Sequence, residues 1–382
     1  MITSETVSSI RAQFPIFERK IYLNSCSQGA LSVAVEAGLL DHIASWHQGG
    51  SPWDAWVRKY EEARAVFARF IGAEPDEVAV VPSASAGING VASALGFERR
   101  RKVVLGEFEF PTMGHIWLAQ HRRGAQVQFA QAQGDRLPID SYERIVDAET
   151  LIVPLSHVCF LNGFRSDVAG ITRLAHERGA LVLLDGYQDC GTRPVNVKEF
   201  GVDFYVSGTL KYLLGPAGVA FLYVRRELIP ALVPTITGWF GQGDPFAFDV
   251  KHFDPAPAAR RFESGTPPII NLYGAIPGIE LLTGLGLDSI AAQIAALAQA
   301  LVDGARRLRI RIKTPYDTVG PLVVLQAQNL EALLARLDQC NIIASGRHDG
   351  LRISFHVYNT LGDVERLLQV LEDHLDLLVR EE

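Results

Sequence analysis

Between about residue 78 and residue 225, short apolar runs alternate with stretches of helical spacing. The runs are Val78–Val81, Val103–Gly106, Leu151–Leu155, Leu181–Asp185, Phe204–Val206 and Val219–Val224. They are continuously apolar, as strands buried on both faces are. Between two of them, residues 167–175 have helical spacing, with Ser166 or Asp167 as N-cap and Gly179 as the residue that ends the helix. Strand–helix alternation predicts an α/β fold with a mostly parallel sheet covered on both faces. On such a sheet ligands sit at the carboxyl ends of the strands. A helix over Val57–Ala73 precedes the sheet, and Asp244–Ala258, rich in Pro and Phe, reads as a long loop. An Ala- and Leu-rich helical region follows over Ile276–Leu308, and Val364–Val379 has the spacing of an amphipathic helix. The pattern divides the chain into an N-terminal segment (1–20) packing near the small domain, a large domain (21–265), a linking helical region (266–308) and a small C-terminal domain (309–382).

Composition narrows the class of function. The 382 residues carry a formal net charge of −7, and the densest basic stretch, Arg99-Arg100-Arg101-Lys102, is short and leads into an apolar run. Nucleic-acid binding is therefore not expected, since phosphate neutralisation needs clustered cations. No apolar stretch of about 18 residues suggests a membrane span, and the first residues lack the pattern of a signal peptide. Cys26, Cys159, Cys190 and Cys340 are scattered, which fits a reducing compartment and predicts a cytoplasmic protein with no metal.

Three stretches carry candidate chemistry. Leu181-Val182-Leu183-Leu184-Asp185-Gly186-Tyr187-Gln188 ends a buried strand on a carboxylate. That charge is costly there unless it caps a turn or meets a cationic partner such as a pyridinium N–H. Ser207-Gly208-Thr209-Leu210-Lys211-Tyr212-Leu213-Leu214 embeds one lysine in apolar surroundings just after a strand. Desolvation there lowers an amine's pKa and prepares it for Schiff-base chemistry. Pro82-Ser83-Ala84-Ser85-Ala86-Gly87 opens a helix after a strand, where free N–H groups suit phosphate.

Together these residues resemble the class V aminotransferase superfamily, whose relatives include cysteine desulfurases, kynureninases and isopenicillin N epimerases. The resemblance runs from about Tyr22 to the C-terminal helix. It implies the pyridoxal 5′-phosphate (PLP) fold type I, with a large sheet domain and a small C-terminal α/β domain. By the family pattern Lys211 is the Schiff-base lysine, forming an internal aldimine, and Asp185 pairs with the pyridine nitrogen. Gln188 would bond the ring oxygen, Ala84 and Ser85 the phosphate, and Phe110, in Glu107-Phe108-Glu109-Phe110-Pro111-Thr112, would stack on the ring. Leu210 stands where a His or Tyr often precedes the lysine, so phosphate falls to Thr209 or Gly208. In Arg261-Phe262-Glu263-Ser264-Gly265-Thr266-Pro267, Thr266 looks like the residue that reaches the phosphate of the neighbouring subunit's cofactor. Trp239, in Gly238-Trp239-Phe240-Gly241, resembles a phosphate-contacting kynureninase residue. A homodimer with shared active sites follows from this.

Leu351-Arg352-Ile353-Ser354-Phe355-His356-Val357-Tyr358-Asn359-Thr360 is similar to the signature whose arginine, here Arg352, clamps the substrate carboxylate. Asn24 and Ser27, in Asn24-Ser25-Cys26-Ser27-Gln28-Gly29, resemble the loop that borders the substrate. Two departures matter. Ala344-Ser345-Gly346-Arg347-His348-Asp349-Gly350 has no cysteine where desulfurases carry a nucleophile, and Phe160 occupies a place where many relatives have Asn. The reading is a PLP enzyme acting on an amino acid or amine, with aminotransferase preferred. A C–S lyase or kynureninase-like hydrolase is the alternative and an epimerase ranks below it. A non-catalytic PLP-fold binding protein is the competing class.

Overall fold

The computed structural model describes residues 4–381. After the helix Ser4–Arg11, strand β1 (Ile21–Tyr22) pairs in parallel with Ile342–Ile343 near the other end of the chain. The segment before it is pinned there too: Arg11 bonds Asp363 at 2.8 Å and the Tyr358 carbonyl at 2.8 Å. Residues 21–24 thus pair with the C-terminal strands, beyond the boundary expected at residue 20.

The central sheet has seven strands: β2 (Val78–Val81), β3 (Lys102–Gly106), β4 (Gln126–Ala130), β5 (Thr150–Ser156), β6 (Leu181–Asp185), β7 (Phe204–Gly208) and β8 (Ala220–Val224). Their order is β2-β8-β7-β6-β5-β3-β4; β8 runs antiparallel to both neighbours and every other pair is parallel. The apolar runs are continuous because each strand feeds two cores. Val104, Val182 and Leu184 enter one core with Phe67 and Ile171, while Val103, Leu105 and Leu183 enter the other with Ile88, Val91 and Trp117. Strand β4 was not expected. It lies at the sheet edge, with Gln126 and Gln128 in solvent, so its sequence lacks an apolar run.

The expected helix after β5 spans Val168–Glu177; Asp167 accepts its Gly170 N–H, and Gly179 takes the left-handed φ of 71°. The helix before the sheet is Trp53–Phe70. The region expected over 276–308 is two helices, Ile269–Leu285 and Leu287–Arg307, bent by 83° at Gly286, whose φ is 80°. The small domain holds β9 (Leu322–Gln326), β10 (Ile342–Ile343), β11 (Ser345–Arg347) and β12 (Gly350–Ser354), in the antiparallel order β11-β12-β9. The last helix, Leu361–Glu372, stops short of Val379. Beyond it Leu378 bridges Ala327 and Arg380 bridges Ile310, so those residues join the small sheet's margin instead of the helix.

Candidate active site

Strands β2, β3, β5, β6 and β7 end on one edge of the central sheet, and the residues just beyond them line a cavity of about 240 Å³. Ser83, Ala84 and Ser85 come from β2, Phe110 from β3, Val158 and Phe160 from β5. Asp185, Tyr187 and Gln188 come from β6, and Leu210 and Lys211 from β7. This is where a mostly parallel sheet places a ligand.

At one end, Ser83 caps the helix Ala84–Ala94 and accepts the Ala86 N–H at 3.1 Å. The N–H groups of Ala84 and Ser85 lie in the first turn, where no preceding carbonyl can take them. Ser85 Oγ lies 3.4 Å from Thr112 Oγ1. An anion is stabilised at such a helix start.

At the other end, Lys211 Nζ lies 4.6 Å from the Tyr187 ring centroid and 5.9 Å from that of Phe110. Burial pulls its pKa down to about 8 against the opposing charge of Asp185, and the positive charges of Arg352 and Arg347 lower it further. Asp185 moves up, mainly through burial; the Tyr187 N–H it accepts at 2.8 Å and the Lys211 charge hold it back. A buried acid and a buried amine therefore favour each other's charged forms against desolvation. Gln188 donates to the Cys26 carbonyl at 3.1 Å, while its buried Oε1 has no partner. The Phe110 ring is exposed into the cavity and meets Phe160 edge-on at 4.9 Å.

Thr209 requires a correction. Its hydroxyl donates to the Pro216 carbonyl at 2.6 Å, and the residue is buried away from the cavity. It braces the loop that carries Lys211 instead of facing phosphate. Gly208, the alternative, is small for another reason: a Cβ there would stand 2.3 Å from the Tyr187 ring. The lysine loop is further held by Leu214 at a φ of 58° and by His356. The His356 Nε2 donates to the Tyr212 carbonyl at 2.9 Å, and burial pushes its pKa down to about 4, so it is a neutral strut.

Arg352, on β12, is 2 % exposed. Nη2 bonds Ser27 Oγ at 2.7 Å and Ser345 Oγ at 2.9 Å, Nη1 bonds the Phe160 carbonyl at 3.2 Å, and Nε has no partner. No carboxylate pairs with it among the described residues. The loop bearing Asn24 and Ser27 approaches the lysine closely, since the Gly29 N–H donates to the Leu210 carbonyl at 2.8 Å. A Cβ at Gly29 would stand 2.3 Å from the Lys211 carbonyl oxygen. Asn24 bridges Ser354, and its buried Oδ1 lacks a partner.

Besides Thr209, the expected cofactor residues Trp239 and Thr266 lie off this cavity, and Arg352, Asn24 and Ser27 stand outside its lining. Trp239 packs in an aromatic cluster with Trp53, Phe240, Phe246 and Phe248, and Thr266 is exposed before the helix Ile269–Leu285. Tyr187 and Glu109 were missed. Glu109 Oε2 accepts from Ser156 Oγ at 2.6 Å and Oε1 from Ser156 N at 3.1 Å; burial, with Asp185 nearby, drives its pKa up to about 8. The alternation of Glu107 and Glu109 with Phe108 was the available signal, because only one of the two carboxylates turns inward.

These residues fit the expected cofactor. There is an amine of lowered pKa, a carboxylate at the strand end beside it, an aromatic face, and a helix start for phosphate at the far end. Gln188, whose buried oxygen has no partner, lines the same cavity.

A model of the family Aminotransferase class-V matches residues 39–367. A Bacillus subtilis (strain 168) protein described as the uncharacterized aminotransferase YcbU is 35% identical over 351 residues, 92% of this chain and 93% of its own. A kynureninase of Deinococcus radiodurans is 28% identical over 96% of this chain and 93% of its own. The apo structure of the cysteine desulfurase from Thermococcus onnurineus NA1 has a TM-score of 0.88 at 25% identity, over 97% of this chain and 98% of that one.

Proposed function

The chain belongs to the class V aminotransferase family, and on that premise we propose that it is an aminotransferase for amino acids that carry a free α-carboxylate. Its cofactor is pyridoxal 5′-phosphate. The observation that carries the proposal is the buried guanidinium of Arg352, bonded to the Phe160 carbonyl on the cavity wall, its charge felt by the lysine amine, and without an acid of its own. Burying a cation with only hydroxyl and carbonyl neighbours is costly, and a ligand carboxylate removes most of that cost.

Bound there, the cofactor supplies a carbonyl that takes up an amine and a ring that accepts the electron pair left at the substrate's α-carbon. Arg352 orients the substrate by its carboxylate. The Lys211 amine, its pKa brought toward neutrality, takes the α-proton and returns it. Asp185 would keep the pyridine nitrogen protonated, the N–H groups of Ala84 and Ser85 would hold the phosphate, and the Phe110 ring would stack on the pyridine.

Transamination is preferred over sulfur transfer because the β11–β12 hairpin carries no thiol, and Cys26, the cysteine near Lys211, is 1 % exposed. A kynureninase-like hydrolase or C–S lyase is the second reading, favoured by Phe110 as the ring-stacking aromatic and by Trp239. We further propose a cytoplasmic homodimer in which Thr266 and Trp239 serve the partner's cofactor, since both lie off their own chain's cavity. Mixing a Lys211→Ala chain with a Thr266→Arg chain would then give heterodimers with one intact site of two, roughly half of native activity per heterodimer and about a quarter for an equimolar, randomly exchanged mixture.

The test is to incubate the holoenzyme with a panel of amino acids and assay keto acid, sulfide, ammonia and pyridoxamine phosphate separately. Keto acid with stoichiometric pyridoxamine phosphate is expected. Sulfide, or ammonia without pyridoxamine phosphate, would replace transamination with a lyase; alanine together with a released carboxylic acid would mean a kynureninase-like hydrolase, and racemised substrate alone an epimerase. No turnover with any substrate despite bound cofactor would favour a binding protein.

A further inference from the structure

The β11–β12 hairpin carries a second arginine for which the reaction as described has no task. Ser345 pairs with Arg352 across the hairpin and Arg347 pairs with Gly350. Opposed residues of an antiparallel pair point to the same side, as do residues two apart on one strand. Ser345, Arg347 and Arg352 therefore share one face, and the 2.9 Å bond between Ser345 Oγ and Arg352 Nη2 fixes which face it is. Gly350, opposite Arg347, puts no side chain beside it. The two guanidinium-bearing residues are diagonal neighbours, with Cβ atoms about 7–8 Å apart.

Arg347 is exposed, and its Nη1 donates to the Gly346 carbonyl at 2.7 Å. Asp349, the nearest acid along the hairpin, is engaged by Lys313 at 2.5 Å and by Gln326 at 2.8 Å. Arg347 bears on both Lys211 and Arg352, pushing the pKa of each down. Two like charges at one mouth repel each other and depress the neighbouring amine. That arrangement is unfavourable unless the ligand brings more than one negative charge. His348, next along the turn, is held at a φ of 52°, a conformation that costs a non-glycine residue energy and keeps the tip tight. Phe160 and Leu210, on the adjoining wall, are suited to methylene groups.

We propose that Arg347 reads a second carboxylate, at the end of the substrate's side chain, so that the preferred substrates are dicarboxylic amino acids. The inference rests on the reading that Arg352 takes the α-carboxylate; it adds the substrate class. Arg352 holds one end of the molecule, Arg347 the other, and the aliphatic stem lies along the apolar wall between them. Its partner on the ligand is a carboxylate because a guanidinium meets that group with two parallel N–H bonds.

The test is a binding measurement on the holoenzyme with unreactive acids, so it does not depend on which reaction follows. Succinate and glutarate are titrated against propionate and butyrate by calorimetry at low ionic strength. The wild type is expected to bind the better dicarboxylate at least about tenfold tighter than the matched monocarboxylate. Arg347→Gln should abolish that ratio while leaving monocarboxylate binding within about twofold, and Arg347→Lys should restore part of it. Arg366→Gln, which removes an exposed arginine on the last helix, should change neither and so controls for net charge. No preference in the wild type, or an Arg347→Gln variant that weakens both acids alike, would overturn the proposal. Failure of the α-carboxylate reading looks different: Arg352→Ala would leave butyrate binding unchanged. Failure of the aminotransferase reading would appear only in the product assay.

Discussion

The floor and the rim of this active site are built on opposite plans. The floor, where the proposed reading places the cofactor, is made from the ends of β2, β3, β5, β6 and β7, each followed within a few residues by a side chain that lines the cavity. The rim, where the proposed reading places the substrate carboxylate, is assembled from Ser27, the Phe160 carbonyl, Ser345 and Arg352, drawn from segments up to 325 residues apart. The floor is rigid because a seven-stranded sheet positions it. The rim depends on the small domain docking against the lysine loop through the His356–Tyr212 bond and the Gly29–Leu210 bond. Substitutions on the floor should therefore alter chemistry, while those on the rim should alter which ligand is held and how tightly.

The sharpest way to break that division is at Lys211. Borohydride reduction should fix the cofactor to this residue, and mass mapping to another lysine would end the assignment. Lys211→Ala should lower turnover by at least about a thousandfold, since it removes both the covalent attachment and the base. Asp185→Asn should come next, costing about a hundredfold or more in kcat with the fold intact, because the ring nitrogen loses the charge that keeps its proton. Near-normal turnover in that variant, with cofactor bound, would move Asp185 out of the floor's chemistry.

Arg352→Ala sharpens the other half. It should raise KM for an amino acid by about tenfold to a hundredfold and spare the corresponding decarboxylated amine. Equal losses on both would make Arg352 a brace of the small domain. Thr209→Val separates a floor residue from the loop that supports it. It should cost about 1 kcal/mol of stability by stranding the Pro216 carbonyl and leave cofactor affinity nearly unchanged. Weakened phosphate binding would restore the role expected from sequence.

The same contrast explains what could be read in advance. Asp185, Lys211 and the helix start at residues 83–86 stood out in the sequence because each ends or closely follows an apolar run. The roles expected of Ala84, Ser85, Phe110 and Gln188 came from the family resemblance, and all of these residues border the cavity. Arg352 was legible through its signature, but Ser345 beside it was not, because a hydroxyl on a short hairpin has no periodicity to mark it. Thr209 was singled out because small polar residues near a lysine look alike until the turn closing on Pro216, whose carbonyl accepts from its hydroxyl, is known. Strand β4 escaped because an edge strand with polar sides does not show the continuous apolar run of its neighbours. Glu109 escaped because sequence does not say which of two carboxylates around Phe108 faces inward.

Glu109 gives the subtlest test, since it lies behind the floor and touches neither end of the cavity's chemistry. Its carboxyl is clasped by Ser156, whose partner across β5 and β6 is Asp185. Burial raises its pKa from 4.5 to about 8. The folded chain therefore binds this proton more tightly than the unfolded chain does. The resulting stability is fully present below about pH 4.5 and is lost as pH rises toward 8. The whole span corresponds to a few kcal/mol at most, or roughly a few degrees in a chain of this length. Glu109→Gln keeps the shape but cannot ionise. Melting both proteins between pH 5 and 8.5 and taking the difference cancels the titrating groups that do not interact with Glu109 and leaves its own titration together with its coupling to Asp185. The wild type should lose stability relative to the variant as pH rises, with the steepest change before pH 8. A flat difference would mean the carboxylate is as well stabilised by the two Ser156 donors as by water. The floor would then carry two permanent negative charges against the single cation of Lys211.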